Sequence, residues 1–262
     1  GARNFSETLE ITFEVFHAAG EIMKTRGKLF GSADEGGFWP DFETNEEALE
    51  TFTEAIVRAG FTPGSEASLS LDIAASDLYD EKTRTYRFRL EKRSFSSEEF
   101  IDLLVRWCCD YHVVSIEDPA VDTDWEGWKR FHAACAHSVQ IIGDDLFTTS
   151  IPRIREGIDR GVANSVLIKL NQIGTVTETL DAIRFTQDAG WAPVVSARSG
   201  ETEDAFISHL AVATNAGQLK VGSFCRSERM VKWNECLRIE RDLGAEATFA
   251  GRDVLKGSSP AQ

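Results

Sequence analysis

Short apolar runs alternate with longer amphipathic stretches along this chain, and that alternation limits the possible folds more than any other feature. Repeats of this kind build a parallel sheet covered by helices. Candidate strands lie at 69–73, 113–116, 139–143, 165–168, 193–196 and 218–222. Apolar residues recur at helical spacing between them, as in Phe100, Leu103, Leu104 and Trp107, and again in Val176, Leu180 and Ile183. The opening stretch, 5–23, also reads as helix, with Ser6 placed to cap it and Leu9, Phe13, Phe16 and Ala19 as its stripe. A further helix is expected over 45–58, ended near Gly60. No linker, repeat or composition break divides the 262 residues, so one domain over 1–262 is expected. A closed (β/α) barrel takes about 250 residues and eight strands. Six strands are visible and none precedes the helical opening, so the expected fold is an α/β, TIM-like barrel that lacks its first strands.

The formal charge of −15 argues against nucleic acid or an anionic membrane surface as partner, because both demand clustered Lys and Arg. No apolar run approaches the roughly 18 residues needed to span a bilayer, and the N-terminus shows no basic-then-apolar leader. The five cysteines, Cys108, Cys109, Cys135, Cys225 and Cys236, form neither a C-x-x-C pair nor a disulfide framework. They read as reduced thiols of a cytoplasmic protein, most of them filling the core.

In βα architectures, functional groups sit just beyond the C-terminal ends of the strands. Those positions hold Asp72, Glu117, Asp144 with Asp145, Lys169, the run Ser196-Ala197-Arg198-Ser199-Gly200, and Lys220. Three successive strands deliver carboxylates and the next three deliver cations. A single Asp at a strand end more often caps a helix, and a lone Lys there is usually solvated. A run of six consecutive strand ends is harder to explain that way. Converging carboxylates raise one another's pKa unless a counter-ion joins them, and all-oxygen ligands suit Mg²⁺. A lysine beside such a site is a candidate base. The implied chemistry is proton abstraction next to a carboxylate.

Six segments then resemble the signature segments of the enolase family, in family order and spread along the whole chain. They are Ala33-Asp34-Glu35-Gly36-Gly37-Phe38, Ser115-Ile116-Glu117-Asp118-Pro119, Gly143-Asp144-Asp145-Leu146, Lys169-Leu170-Asn171-Gln172-Ile173-Gly174, Ser199-Gly200-Glu201-Thr202-Glu203-Asp204 and Cys225-Arg226-Ser227-Glu228-Arg229. The resemblance implies the C-terminal barrel domain of a glycolytic lyase that interconverts 2-phosphoglycerate and phosphoenolpyruvate with Mg²⁺. Asp72, Glu117 and Asp144 match the ligands of the principal Mg²⁺. Lys169 matches the base at carbon 2, and Glu35 one of the acids that help the carbon-3 hydroxyl leave. Lys220 matches the partner of the substrate carboxylate, and Arg198 with Ser199 the pair that holds the phosphate. The family also implies a homodimer in the full-length protein.

Two departures qualify the resemblance. Ala197 stands where family members have histidine, and Trp39 where they usually have a small residue. A methyl group neither donates a hydrogen bond to phosphate nor tunes neighbouring glutamates. The resemblance also begins after the family's small N-terminal domain and first two barrel strands. In the family that region carries a second catalytic glutamate, another histidine and a mobile loop for a second Mg²⁺, so the chain is expected to be a fragment of a longer protein or one piece of a split one. Three functions are compatible with this pattern: a phosphopyruvate hydratase, a divergent relative acting on a related phospho- or phosphono-carboxylate, or a catalytically impaired enolase-like binding protein.

Overall fold

Strands buried on both faces carry continuous apolar runs, and three strands of this chain have every residue buried. The computed structural model describes residues 1–257, which form two units: Gly1–Ser68 with Val195–Gly251, and Leu69–Val194 with residues 252–257. The first unit opens with α1 (Phe5–Thr25), β1 (Leu29–Ser32), β2 (Phe38–Pro40) and α2 (Asn45–Arg58). Helix α1 is capped by Asn4, whose side chain accepts from the Glu7 N–H. Ser6, the expected cap, lies inside the helix, because Asn4 already satisfies the first turn ahead of it. The buried face is Val15, Ala18, Ala19, Ile22 and Met23, whereas Phe13 of the expected stripe is 47% exposed. Strands β1 and β2 form an antiparallel hairpin that sequence periodicity did not reveal.

The second unit runs β3 (Leu69–Asp72), α3 (Ala75–Leu78), β4 (Tyr79–Asp80), β5 (Thr85–Phe88), β6 (Arg93–Phe95), α4 (Ser97–Asp110), β7 (Val113–Glu117), α5 (Trp125–Cys135), β8 (Gln140–Gly143), α6 (Ile151–Arg160), β9 (Ser165–Ile168), α7 (Leu170–Ile173), α8 (Val176–Asp188) and β10 (Ala192–Ser196). The division between units falls inside β10. The first unit then resumes with α9 (Phe206–Ala213), β11 (Leu219–Lys220) and α10 (Ser227–Leu243). Strands β3, β7, β8, β9, β10 and β11 succeed one another in that order in a six-stranded sheet. The registered pairs are parallel, so consecutive strands are joined by crossovers and their C-terminal ends hold the same rim within each unit. This is the α/β, incomplete-barrel class that the strand–helix alternation predicts.

All six expected strands are present, shifted by one or two residues at some ends; 218–222, for instance, contracts to Leu219–Lys220. An additional antiparallel sheet, β4–β5–β6, comes after β3. It packs by aromatic contacts: the Tyr86 and Phe100 rings stack at 4.2 Å and Phe88 meets Phe95 edge-on at 5.1 Å. Cys108, Cys135 and Cys236 are buried, Cys109 is exposed, and all five thiols are free. Among the described residues no helix is long and apolar enough to cross a membrane.

Candidate active site

In the second unit the strand register brings the predicted groups to one rim. Asp72, the last residue of β3, pairs across the ladder with Glu117, the last residue of β7. Glu117 pairs in turn with Ile142 of β8, two residues before Asp144. Gly143 pairs with Val166 of β9, and Lys169 comes directly after that strand's last residue. The Lys169 ammonium donates to Asp144 Oδ2 at 2.5 Å, with both side chains largely buried. The Lys169 main-chain N–H donates to the Thr149 hydroxyl at 3.0 Å, which fixes the base of the side chain. The other oxygen of Asp144, Oδ1, is buried with no hydrogen-bond partner. A buried carboxylate oxygen without a donor is costly unless something positive meets it.

Packing beneath Asp144 explains its glycine neighbour. The buried Phe147 ring lies where a side chain at Gly143 or Gly157 would stand, so both positions tolerate only hydrogen there. One oxygen on each of Asp118, Asp144 and Asp145 lies within 4.8 Å of the others. Asp118 was not among the predicted groups, and it acts as a brace. Its two oxygens accept from the N–H groups of Asp144 and Asp145, at 2.9 Å each. Burial pushes the Asp118 carboxyl up to about 7; those two donors oppose the shift, and the Asp144 and Asp145 charges reinforce it. Burial and the Asp144 charge likewise raise Asp145, Lys169 works the other way, and the charges of Asp122 and Asp72 raise it further. Surplus negative charge thus gathers at this rim. An orphaned buried oxygen inside such a cluster fits a divalent cation held by oxygen ligands.

The first unit holds the remaining predicted residues. Ser196, the last residue of β10, pairs with Lys220, the last of β11, and the Ala197 N–H donates to the Lys220 carbonyl at 2.8 Å. Ala197 is buried, and Arg198 and Ser199 come immediately after it. Glu35 lies at the tip of the β1–β2 hairpin, where Gly36 has a φ of 80°. The Ser223 N–H donates to the Glu35 carbonyl at 2.7 Å and the Cys225 N–H to the Gly36 carbonyl at 3.0 Å. A side chain on Gly36 would overlap the Cys225 carbonyl oxygen, and one on Gly222 would overlap that of Glu35. The glycines therefore mark a main-chain clasp as well as a turn. Trp39 is 61% exposed.

Residues 1–258 match the family described as Enolase, C-terminal TIM barrel domain. This chain belongs to the enolase family. It is 52% identical over 255 residues to Enolase 1 of Desulfitobacterium hafniense (strain Y51), an alignment that covers 97% of this chain and 58% of that protein. The chain thus spans somewhat more than half the length of that enolase.

Within the enolase barrel domain, sequence reasoning missed Asp118, Arg229, Lys232 and Glu201 as supports of the predicted residues. The signal for Asp118 lay in its place between a strand-terminal Glu117 and Pro119, where a backbone φ of 43° turns the chain. Arg229 appeared only within a signature segment, and Lys232 was not singled out. They are 0% and 1% exposed, and a pair of buried cations is the clue that only coordinates supply.

Proposed function

We propose that this chain carries the catalytic barrel of a Mg²⁺-dependent enolase that reversibly dehydrates 2-phosphoglycerate to phosphoenolpyruvate. The observation that carries the reading is Asp144, with one oxygen bonded to the Lys169 ammonium and the other buried without a donor. Asp72, Glu117 and Asp144 would hold the cation. When bound, it offsets their charge and favours negative charge on the substrate carboxylate. Lys169, in its neutral amine form, removes the proton from carbon 2, the electron pair left behind forms the bond to carbon 3, and the carbon-3 hydroxyl departs as water with a proton from Glu35. Arg198 and Ser199 hold the phosphate, and Lys220 pairs with the substrate carboxylate. Binding a substrate at both ends limits the orientations it can take, and such positioning is a large part of catalysis.

The family relationship and the residue types at the strand ends of this chain support the reading. Its test is the absorbance of phosphoenolpyruvate formed by the full-length protein with Mg²⁺. Lys169→Ala should lower kcat by about a thousandfold, the range for a lost general base, while Mg²⁺ still binds. An unchanged rate in that variant removes Lys169 from the chemistry and the reading with it. A second reading, an enzyme acting on a related phospho- or phosphono-carboxylate, is favoured by the buried Ala197 that replaces the family histidine.

A further inference from the structure

Two cations are almost wholly withdrawn from water in the first unit, Arg229 at 0% and Lys232 at 1% exposure. Burying a charge is costly unless bonds replace its hydration, and apolar residues of similar size often serve packing as well or better. The bonds made here converge on one short segment. Arg229 donates through Nη1 to the carbonyls of Arg198 at 2.7 Å and Val221 at 2.8 Å, and through Nη2 to the carbonyl of Ser199 at 2.6 Å. Lys232 donates to the carbonyls of Thr202 at 2.7 Å and Glu228 at 2.8 Å, and pairs with Glu201 Oε2 at 3.0 Å. Glu201 completes the set by accepting from the Arg198 N–H through its other oxygen at 3.0 Å.

Together these groups grip the segment 198–202 by its backbone. In a trans peptide the C=O and the following N–H point in opposite directions. Drawing the carbonyls of Arg198 and Ser199 towards Arg229 therefore turns the N–H groups of Ser199 and Gly200 away from that cation. A side chain added at Gly200 would meet nothing within 4 Å, so there is room for a ligand beside its Cα. Consecutive N–H groups next to such room are a favourable setting for an anion.

We propose that Glu201, Arg229 and Lys232 are positioning residues that hold the Arg198–Ser199 backbone in the form that receives a phosphate group. The inference rests on the reading of Arg198 and Ser199 as the phosphate-binding pair. None of the three touches substrate; they act through the peptide groups of 198–202.

The test uses Glu201→Gln and Arg229→Lys in the full-length protein, with inorganic phosphate as probe. Glu201→Gln keeps the shape but loses the charge that pairs with Lys232; Arg229→Lys keeps the charge but loses the fork that reaches three carbonyls. Each variant should bind inorganic phosphate about tenfold more weakly by titration calorimetry, and raise KM for 2-phosphoglycerate by a similar factor. The kcat should stay within about twofold, because the groups that move protons are untouched. A folded variant that binds phosphate and substrate as the parent does overturns the proposal. If Glu201→Gln does not fold, Arg229→Lys is read by the same criterion. Parent protein that binds phosphate but yields no phosphoenolpyruvate counts against the enolase reaction and leaves the titration to decide the positioning role.

Discussion

Ala197 is one of the two residues, with Trp39, at which this chain is expected to depart from the family pattern. Its methyl group is buried and its N–H is committed to the Lys220 carbonyl, so its main chain is held and its side chain offers no polar group. If the protein is a weakened hydratase, Ala197→His should raise kcat/KM for 2-phosphoglycerate about tenfold or more, the value of one hydrogen bond to a charged group. Steady-state rates compare the two, and no gain favours the related phospho- or phosphono-carboxylate. The strand-end residues Asp72, Glu117, Asp144, Lys169 and Lys220 were legible because a βα pattern dictates where each strand stops and which side chains crown its end. Asp118 was not, since a carboxylate that accepts from two main-chain N–H groups looks in sequence like any acid beside a strand end. Glu201 was hidden for a similar reason: its partners are a peptide N–H and a lysine far along the chain, on α10.

At the level of elements, the strands buried throughout were legible, and most of the short exposed ones were not; β11, expected at 218–222, is the exception. Strands β8, β9 and β10 are buried throughout, and such strands read as unbroken apolar runs. Strands β1, β2, β4 and β6 have two to four residues and no fully buried position, so their sequence carries little period. Side-chain bonds tie these shorter pieces to the main elements. Asp124 caps α5 by accepting from the Gly127 N–H at 3.0 Å, and its other oxygen accepts from the Tyr86 hydroxyl of β5 at 3.2 Å and from the Ser97 hydroxyl of α4. Ser96, by contrast, belongs to an exposed capping box on α4 alone. Urea unfolding should therefore separate the two: Asp124→Ala is expected to cost about 3 kcal/mol and Ser96→Ala about 1 kcal/mol. Equal losses would mean that Asp124 is only a cap.

At the scale of the molecule, a chain of net charge −15 has to gather positive charge locally to handle an anionic substrate. Lys169, Arg198 and Lys220 are the candidates in the sequence, and a bound cation is the further means. Mg²⁺ that binds only the folded state should raise Tm by several degrees, corresponding to about 2.7 kcal/mol at a free concentration about a hundred times Kd. Differential scanning calorimetry of Asp144→Asn should show that rise abolished; a full rise in the variant would place the cation elsewhere. The hairpin tip at Glu35 and Gly36 carries a different lesson. Two main-chain hydrogen bonds join it to residues 223–225, with glycine hydrogens at the points of closest approach. A joint made of peptide groups is indifferent to most amino-acid exchanges around it. Mutational drift can rewrite the neighbouring surface while Glu35 keeps its station, and a map of folding stability across this region should be flat except for sharp intolerance at Gly36 and Gly222, with Glu35 sensitive only when activity is read.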